Sequence, residues 1–239
     1  MQIEPQATAF AKRYARGEAQ VAWTTLVSDL ETPVSAFLKI AAARPLSFLL
    51  ESVEGGAVRG RYSIIGLDPD LIWRTVSGQA EINRTAQRRA DSFTPCNRAP
   101  LAALRALIAE SRVELPDVLP PMAAGIFGYL GYDMVRLMEE LPQPNPDPIG
   151  IPDSVLMRPT IVVVFDSVKD AITVVTPVRP ESGIAAEAAF ARASERLSRI
   201  LDALDAPLAH APPDFQAGPL TVWPSFETRA RARSSGRGR

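Results

Sequence analysis

Ile161-Val162-Val163-Val164-Phe165 is apolar without a break, and it constrains this chain more than any other stretch. Successive side chains of a strand point to opposite faces, so an unbroken apolar run has no face to offer to water. It reads as a strand covered on both sides. Ala171 to Val175 reads as a second strand, and Ser167-Val168-Lys169-Asp170 between them as the turn. The pair, from Pro159 to Val175, is expected to form a β-hairpin.

Other segments repeat the pattern. Val21 to Val27 mixes β-branched and aromatic residues and predicts a strand. Thr32-Pro33 then opens a helix, with Thr32 as its cap and Pro33 in its first turn. Val34, Phe37, Leu38 and Ala41 are its expected apolar face, and Pro45 ends it. Leu46 to Leu50 and Tyr62 to Ile65 predict strands around a turn at Val53-Glu54-Gly55-Gly56. Leu71 to Val76 and Gln79 to Ile82 predict another pair, turning at Ser77-Gly78. Neighbours joined by such short turns suggest a meander. Residues 84–100 are polar and read as a loop, and Leu101, Leu104, Leu107 and Ile108 mark an amphipathic helix after it. Ala124 to Tyr132 reads as a glycine-bearing strand and Asp133 to Leu141 as a short helix. The prolines of 143–148 exclude regular structure. A long helix is predicted from Gly183 to Ala206, with Phe190, Leu197, Ile200, Leu201 and Leu204 as its buried stripe. The fold class is therefore α+β, mostly antiparallel sheet with packed helices.

The candidate for chemistry is the strand Arg44-Pro45-Leu46-Ser47-Phe48-Leu49-Leu50-Glu51-Ser52, followed by Gly60-Arg61-Tyr62-Ser63. An apolar strand that ends in Glu51-Ser52 can aim a carboxylate and a hydroxyl into an otherwise greasy cleft, and Arg61 adds a basic contact from the next strand. That is the chemistry of a site for a small amphipathic molecule. The bland reading is a strand end at the surface, with Arg61 paired to Glu54.

Gly125-Ile126-Phe127-Gly128-Tyr129-Leu130-Gly131-Tyr132-Asp133 is glycine-rich, but its spacing fits no phosphate loop and no Lys-Ser or Lys-Thr pair follows. One cysteine, Cys96, excludes an internal disulfide and suits a reducing cytoplasm. With a single histidine, His210, a zinc site of the usual kind is not expected. A net charge of -1 provides no global attraction to nucleic acid or an anionic membrane. No apolar run has the roughly 18 residues of a membrane span.

The motifs together resemble the amino-terminal region of anthranilate synthase component I. The Leu50-Glu51-Ser52 strand, the Gly128-Tyr129-Leu130-Gly131-Tyr132-Asp133 run and Pro152-Asp153 before a hairpin and long helix occur in that family's order. The resemblance covers Val21 to about Ala206. It implies that residues 1–206 form a regulatory domain, one part of a two-sheet sandwich, and that Leu50, Glu51, Ser52 and Arg61 line a feedback site for L-tryptophan. It also implies the reaction of the whole enzyme, a lyase converting chorismate and ammonia to anthranilate and pyruvate. A glutamine amidotransferase subunit, component II, supplies the ammonia, and Mg²⁺ is bound in the chorismate site. The catalytic and metal-binding residues of that family lie in its C-terminal region, so no catalytic residue is assigned in this chain.

Residues 207–239 are rich first in proline and then in arginine, and are expected to be a disordered linker and tail. Lysine occurs only at Lys12, Lys39 and Lys169, so the arginine bias fits a GC-rich gene. The abrupt composition change suggests a frameshifted end, with the chorismate-binding domain absent. Such a chain is expected to be marginally stable. The rival readings are aminodeoxychorismate synthase component I, a tryptophan sensor without catalysis, and a nucleic-acid module using the arginine tail.

Overall fold

The computed structural model describes residues 2–41, 44–54, 58–142, 147 and 149–208, with the backbone alone at 53, 54, 58 and 59. Of the turn expected at Val53-Glu54-Gly55-Gly56, Val53 and Glu54 belong to a strand instead, while Gly55 and Gly56, most of the segment 143–148 and the tail from 209, with His210, lie outside the described residues.

The elements in chain order are α1 (Ala7–Ala15), β1 (Gln20–Val27), α2 (Pro33–Ile40), β2 (Phe48–Glu54), β3 (Val58–Leu67), β4 (Leu71–Val76), β5 (Gln79–Asn83) and β6 (Thr94–Pro95). Then come α3 (Pro100–Ser111), β7 (Phe127–Leu130), a 3-10 helix (Tyr132–Leu137), β8 (Ser154–Arg158), β9 (Ile161–Asp166), β10 (Ala171–Val178) and α4 (Ala186–Asp205). They build two antiparallel sheets, ordered β1-β10-β9-β3-β2 and β6-β5-β4-β8-β7. The fold is α+β, as the patterning implies.

β9 is buried along its whole length. Ile161, Val163 and Phe165 join Ile65, Leu67, Ile172 and Val174 in the core under α1, α2 and α4. Val162 lies opposite Val175. On that face Val175 and Val21 pack with Leu119 and Ala123. The apolar run is thus covered from both sides, by helices on one face and by the 113–124 segment on the other. α4 buries Ala189, Ala193, Leu197, Ile200 and Leu204, one stripe at helical spacing.

The meander gives way to a corner. β3 pairs with β9 and β4 with β8, so adjacent β3 and β4 belong to different sheets. Asp68, in the left-handed region at φ 49°, and Pro69 turn the chain between them. β8 and β9 cross at the same place. There Asp70 N donates to Arg158 O (3.1 Å) and Thr160 N to Leu67 O (3.2 Å). The Arg158 guanidinium grips Asp70 through Nε and Nη2, at 2.8 and 2.9 Å. A turn search sees only the local chain, whereas this corner needs residues some ninety positions apart.

Thr32 caps α2 as expected, its hydroxyl accepting from Ser35 N at 3.1 Å. The buried face differs: Ala36, Ile40 and Ala41 are inside, while Val34 and Leu38 are exposed. Three elements escape the sequence reading, among them the two-residue β6 inside the expected loop. α1 buries only Phe10 and Tyr14, too few for a periodic signal. β8 supplies the strand between β4 and β7. The glycine-bearing strand shrinks to β7, because Gly128 lies so close to β8 that a methyl group would overlap the Val155 carbonyl. β7 is an edge strand, and Leu130 and Tyr132 at its end are exposed.

Gly66 lies opposite Phe48, whose ring folds over it. A side chain at Gly66 would overlap that ring. Gly66→Ala is expected to destabilise the chain by about 1–3 kcal/mol, the range for overpacking. Urea denaturation followed by tryptophan fluorescence measures it, and an unchanged midpoint would contradict the packing described.

Candidate functional site

β2 and β3 pair in register from Phe48↔Gly66 to Glu51↔Ser63, and the register then shifts before Val53↔Arg59. Ser52 sits at this bulge. In a regular strand Glu51 and Ser52 would face opposite sides of the sheet. A bulge re-aims side chains, and here both residues line the same cavity, together with Arg61. Gly60 makes this possible: any side chain there would overlap Ser52 Cβ and Oγ. Leu50, by contrast, is 48% exposed and lies outside the lining.

The cavity measures about 330 Å³. Three parts of the fold wall it. The approach to α2 contributes Glu31, Thr32, Pro33 and Val34; the bulged ribbon contributes Glu51, Ser52, Arg61 and Ser63; the end of β9 and its turn contribute Phe165, Asp166 and Asp170. Pro33, Val34 and Phe165 form the apolar part.

Arg61 pairs with Asp166. Its Nε and Nη2 donate to Asp166 Oδ1 and Oδ2 at 3.0 and 2.9 Å. Asp166 Oδ1 also accepts from Val168 N (3.1 Å) and Lys169 N (3.3 Å), which fixes the carboxylate against its own turn. The Arg61 hydrogen bonds hold the Asp166 carboxyl below the usual aspartate range, and in return Asp166 raises the guanidinium. Among the described side chains Nη1 of Arg61 has no acceptor, and its two N–H groups face the cavity's remaining space. Glu31 is neutralised by Lys39 and accepts from Ser35 Oγ at 2.7 Å. Among the described residues neither Glu51 nor Asp170 has a charged partner within ion-pair distance. The cavity therefore holds two carboxylates without an ion-pair partner among the described residues, Glu51 on the ribbon and Asp170 on the β9 turn, and beside Glu51 on the ribbon lie the Ser52 hydroxyl and the Arg61 N–H donors. That arrangement suits a zwitterion with an apolar body.

Sequence reasoning missed Asp166, Glu31, Asp170 and the apolar wall. Asp166 is the charge that ends the apolar run, and that position is the signal that marks it. Cys96 lies in the loop expected over 84–100. It is partly buried against the cluster of Leu71, Trp73 and Leu107, and burial pushes its thiol up.

The Arg61–Asp166 pair favours the ionised carboxylate, so its stabilisation is full above the ordinary aspartate value near 4 and is lost as pH falls through the depressed one. Asp166→Asn is expected to unfold at lower urea than the parent chain at pH 7, with the gap closing below about pH 4. Denaturation curves from pH 7 to pH 3 measure this, and a gap independent of pH would contradict the pairing.

No protein-family model matches the chain. Curated relatives do. Anthranilate synthase component 1 of Cereibacter sphaeroides is 53% identical over 204 residues, covering 85% of this chain and 40% of the relative. The proteins of the same name from Thermus thermophilus and Synechocystis sp. are 39% and 36% identical, over 81% and 98% of this chain and 39% and 45% of theirs. A solved anthranilate synthase component I from Streptococcus pneumoniae aligns over 76% of this chain and 37% of its own, at 23% identity and a TM-score of 0.47. The chain spans about 40% of the length of the first of these relatives. Over the portion it spans, the chain belongs to the anthranilate synthase component I family.

Proposed function

We propose that this chain is the amino-terminal, effector-binding portion of an anthranilate synthase component I, and that its cavity holds part of an L-tryptophan feedback site. The observation that carries this reading is the convergence of Glu51, Ser52 and Arg61 on one cavity through a bulge. The cavity, at about 330 Å³, falls within the usual size of small-ligand sites. In this reading Glu51, with Asp170 nearby, meets the ligand's ammonium. Ser52 and the free Nη1 of Arg61 meet its carboxylate. Pro33, Val34 and Phe165 receive the edge of the indole.

The activity belongs to the whole protein: chorismate and ammonia to anthranilate and pyruvate, with component II delivering the ammonia from glutamine, in the cytoplasm. Mg²⁺ would offset the carboxylate charge of chorismate and assist loss of the ring hydroxyl. Among the described residues no group of three or more His, Cys, Asp or Glu side chains converges to hold an ion. Tryptophan would inhibit by binding one arrangement of the whole enzyme better than another. Residues 1–206 are the domain that senses it. The relatives' shared name favours anthranilate synthase over aminodeoxychorismate synthase. Among the described residues no helix is long and apolar enough to cross a membrane.

Calorimetry with L-tryptophan on the chain tests the site. Glu51→Gln is expected to weaken binding tenfold or more, matching the roughly 1.5–3 kcal/mol of a charge-assisted hydrogen bond. Leu50→Ala, outside the cavity, is expected to leave affinity unchanged. Equal binding by Glu51→Gln and the parent would remove Glu51 from the site, and with it this reading.

A further inference from the structure

A second cavity of about 770 Å³ lies at the opposite end of the β2–β3 ribbon, and its charge is reversed. α4 forms one wall. Arg192, Arg196 and Arg199, spaced by four and then three residues, lie on one helical face. Arg88 comes from the loop after β5 and Arg44 from the loop before β2. Five arginines thus face two carboxylates, Asp68 and Glu195. Asp68 is already taken by Arg44, whose Nη1 donates to it at 2.7 Å. Arg196 Nε donates only to the neutral Thr176 hydroxyl, at 2.8 Å. Arg88, Arg192 and Arg199 have no carboxylate within ion-pair distance among the described residues.

Three guanidiniums at helical spacing repel one another, and the carboxylates near them, Glu195 and Asp202 on α4 and Glu181 and Asp70 beside Arg196, form no ion pair with them among the described residues. Burial, and then the charges of Arg199 and Arg192, hold Arg196 below the usual arginine value. The walls are also fixed. Leu46 and Asp68 both take left-handed backbone conformations here, at φ 59° and 49°. Such strain in a residue like leucine persists only where the surroundings impose it. The cavity adjoins a smaller one of about 140 Å³ that shares Gln87, Thr160, Arg192 and Arg196 and adds Arg179. Buried Arg179 Nε has no hydrogen-bond partner.

From this arrangement we infer that the trough between α4 and the 86–90 loop is a binding site for a phosphate-bearing small molecule. Arg192, Arg196 and Arg199 hold the phosphoryl oxygens, and Arg88 closes over them. Planar guanidiniums bind phosphate bidentately, and several around one group are the usual means of phosphate recognition. The remaining volume leaves room for an organic body, in contact with Pro45, Leu46 and Pro69. The inference is independent of the tryptophan reading, which concerns the other end of the ribbon.

The test is calorimetry and thermal unfolding of the full chain with inorganic phosphate, pyrophosphate and glucose 6-phosphate, at fixed ionic strength against chloride. Saturable one-to-one binding is expected, with pyrophosphate at least tenfold tighter than phosphate. Binding is expected to fall at least tenfold in Arg192→Ala/Arg199→Ala. Both positions are exposed, so this variant retains the parent's circular dichroism. Arg105→Ala, an exposed arginine on α3, serves as the control and retains binding. Glucose 6-phosphate binding more tightly than phosphate identifies a monoester as the occupant; weaker binding identifies the inorganic ion. A melting shift that sulfate or chloride reproduces without saturation, or that survives in Arg192→Ala/Arg199→Ala, overturns the site.

Discussion

The structure depends on burying β9 from both sides. An apolar strand of this kind holds its place only at the centre of a sheet with layers above and below, and β9 has β10 and β3 beside it, helices over one face and the 113–124 segment under the other. The next residue is charged. Asp166 ends the run, accepts two backbone N–H groups of its turn and takes Arg61 from β3. One residue therefore closes the core strand, caps the hairpin and sets the basic group of the cavity. Moving β9 by one residue would put Asp166 on the other face and separate it from Arg61.

The cavity's chemistry follows from which charges are already spent. Arg61 and Glu31 are held by Asp166 and Lys39, so they shape the wall more than they set its net charge. Glu51 and Asp170 are left, and they give the cavity its sign. Ser52 reaches the same space because the bulge turns it there and Gly60 yields the room. A Glu-Ser pair on a regular ribbon would serve two different faces, so the bulge, more than either residue, makes this a site.

Some of this could be read directly from residue order. The α4 stripe, the Thr32 cap and the hairpin around 167–170 are local patterns, and the structure keeps them. The stretch from Arg44 to Ser63 offers Glu51, Ser52 and Arg61 because they are close in sequence. Leu50 joins them only through the family resemblance, and in the structure it is exposed outside the cavity lining. What the sequence hid is what distant residues decide. β3 and β4 part because Arg158 reaches Asp70 from the other end of the chain, and α1 has only Phe10 and Tyr14 to announce it. Asp166, Glu31 and Asp170 reach the cavity only after the sheet has formed. Charge counts along the chain, with arginines attributed to base composition, likewise concealed that Arg88, Arg192, Arg196 and Arg199 converge in space.

The two cavities have opposite charge and share one structural support. β2 leaves the basic trough near Leu46 and enters the acidic cavity at Glu51, and β3 runs back from Arg61 to Asp68. At roughly 3.3 Å per residue, the six steps from Leu46 to Ser52 span about 20 Å. Phe48 packed over Gly66 locks the ribbon between them. A ribbon pinned in one register does not by itself carry a signal between its ends, since coupling requires an element with two arrangements that both ligands bias. Each ligand would instead act on what its own end of the ribbon touches: α2 and the β9 turn at the acidic end, α4 at the basic end. Arg192, Arg196 and Arg199 lie on α4, whose other face packs in the core, so an anion drawing them together would act first on the seating of that helix.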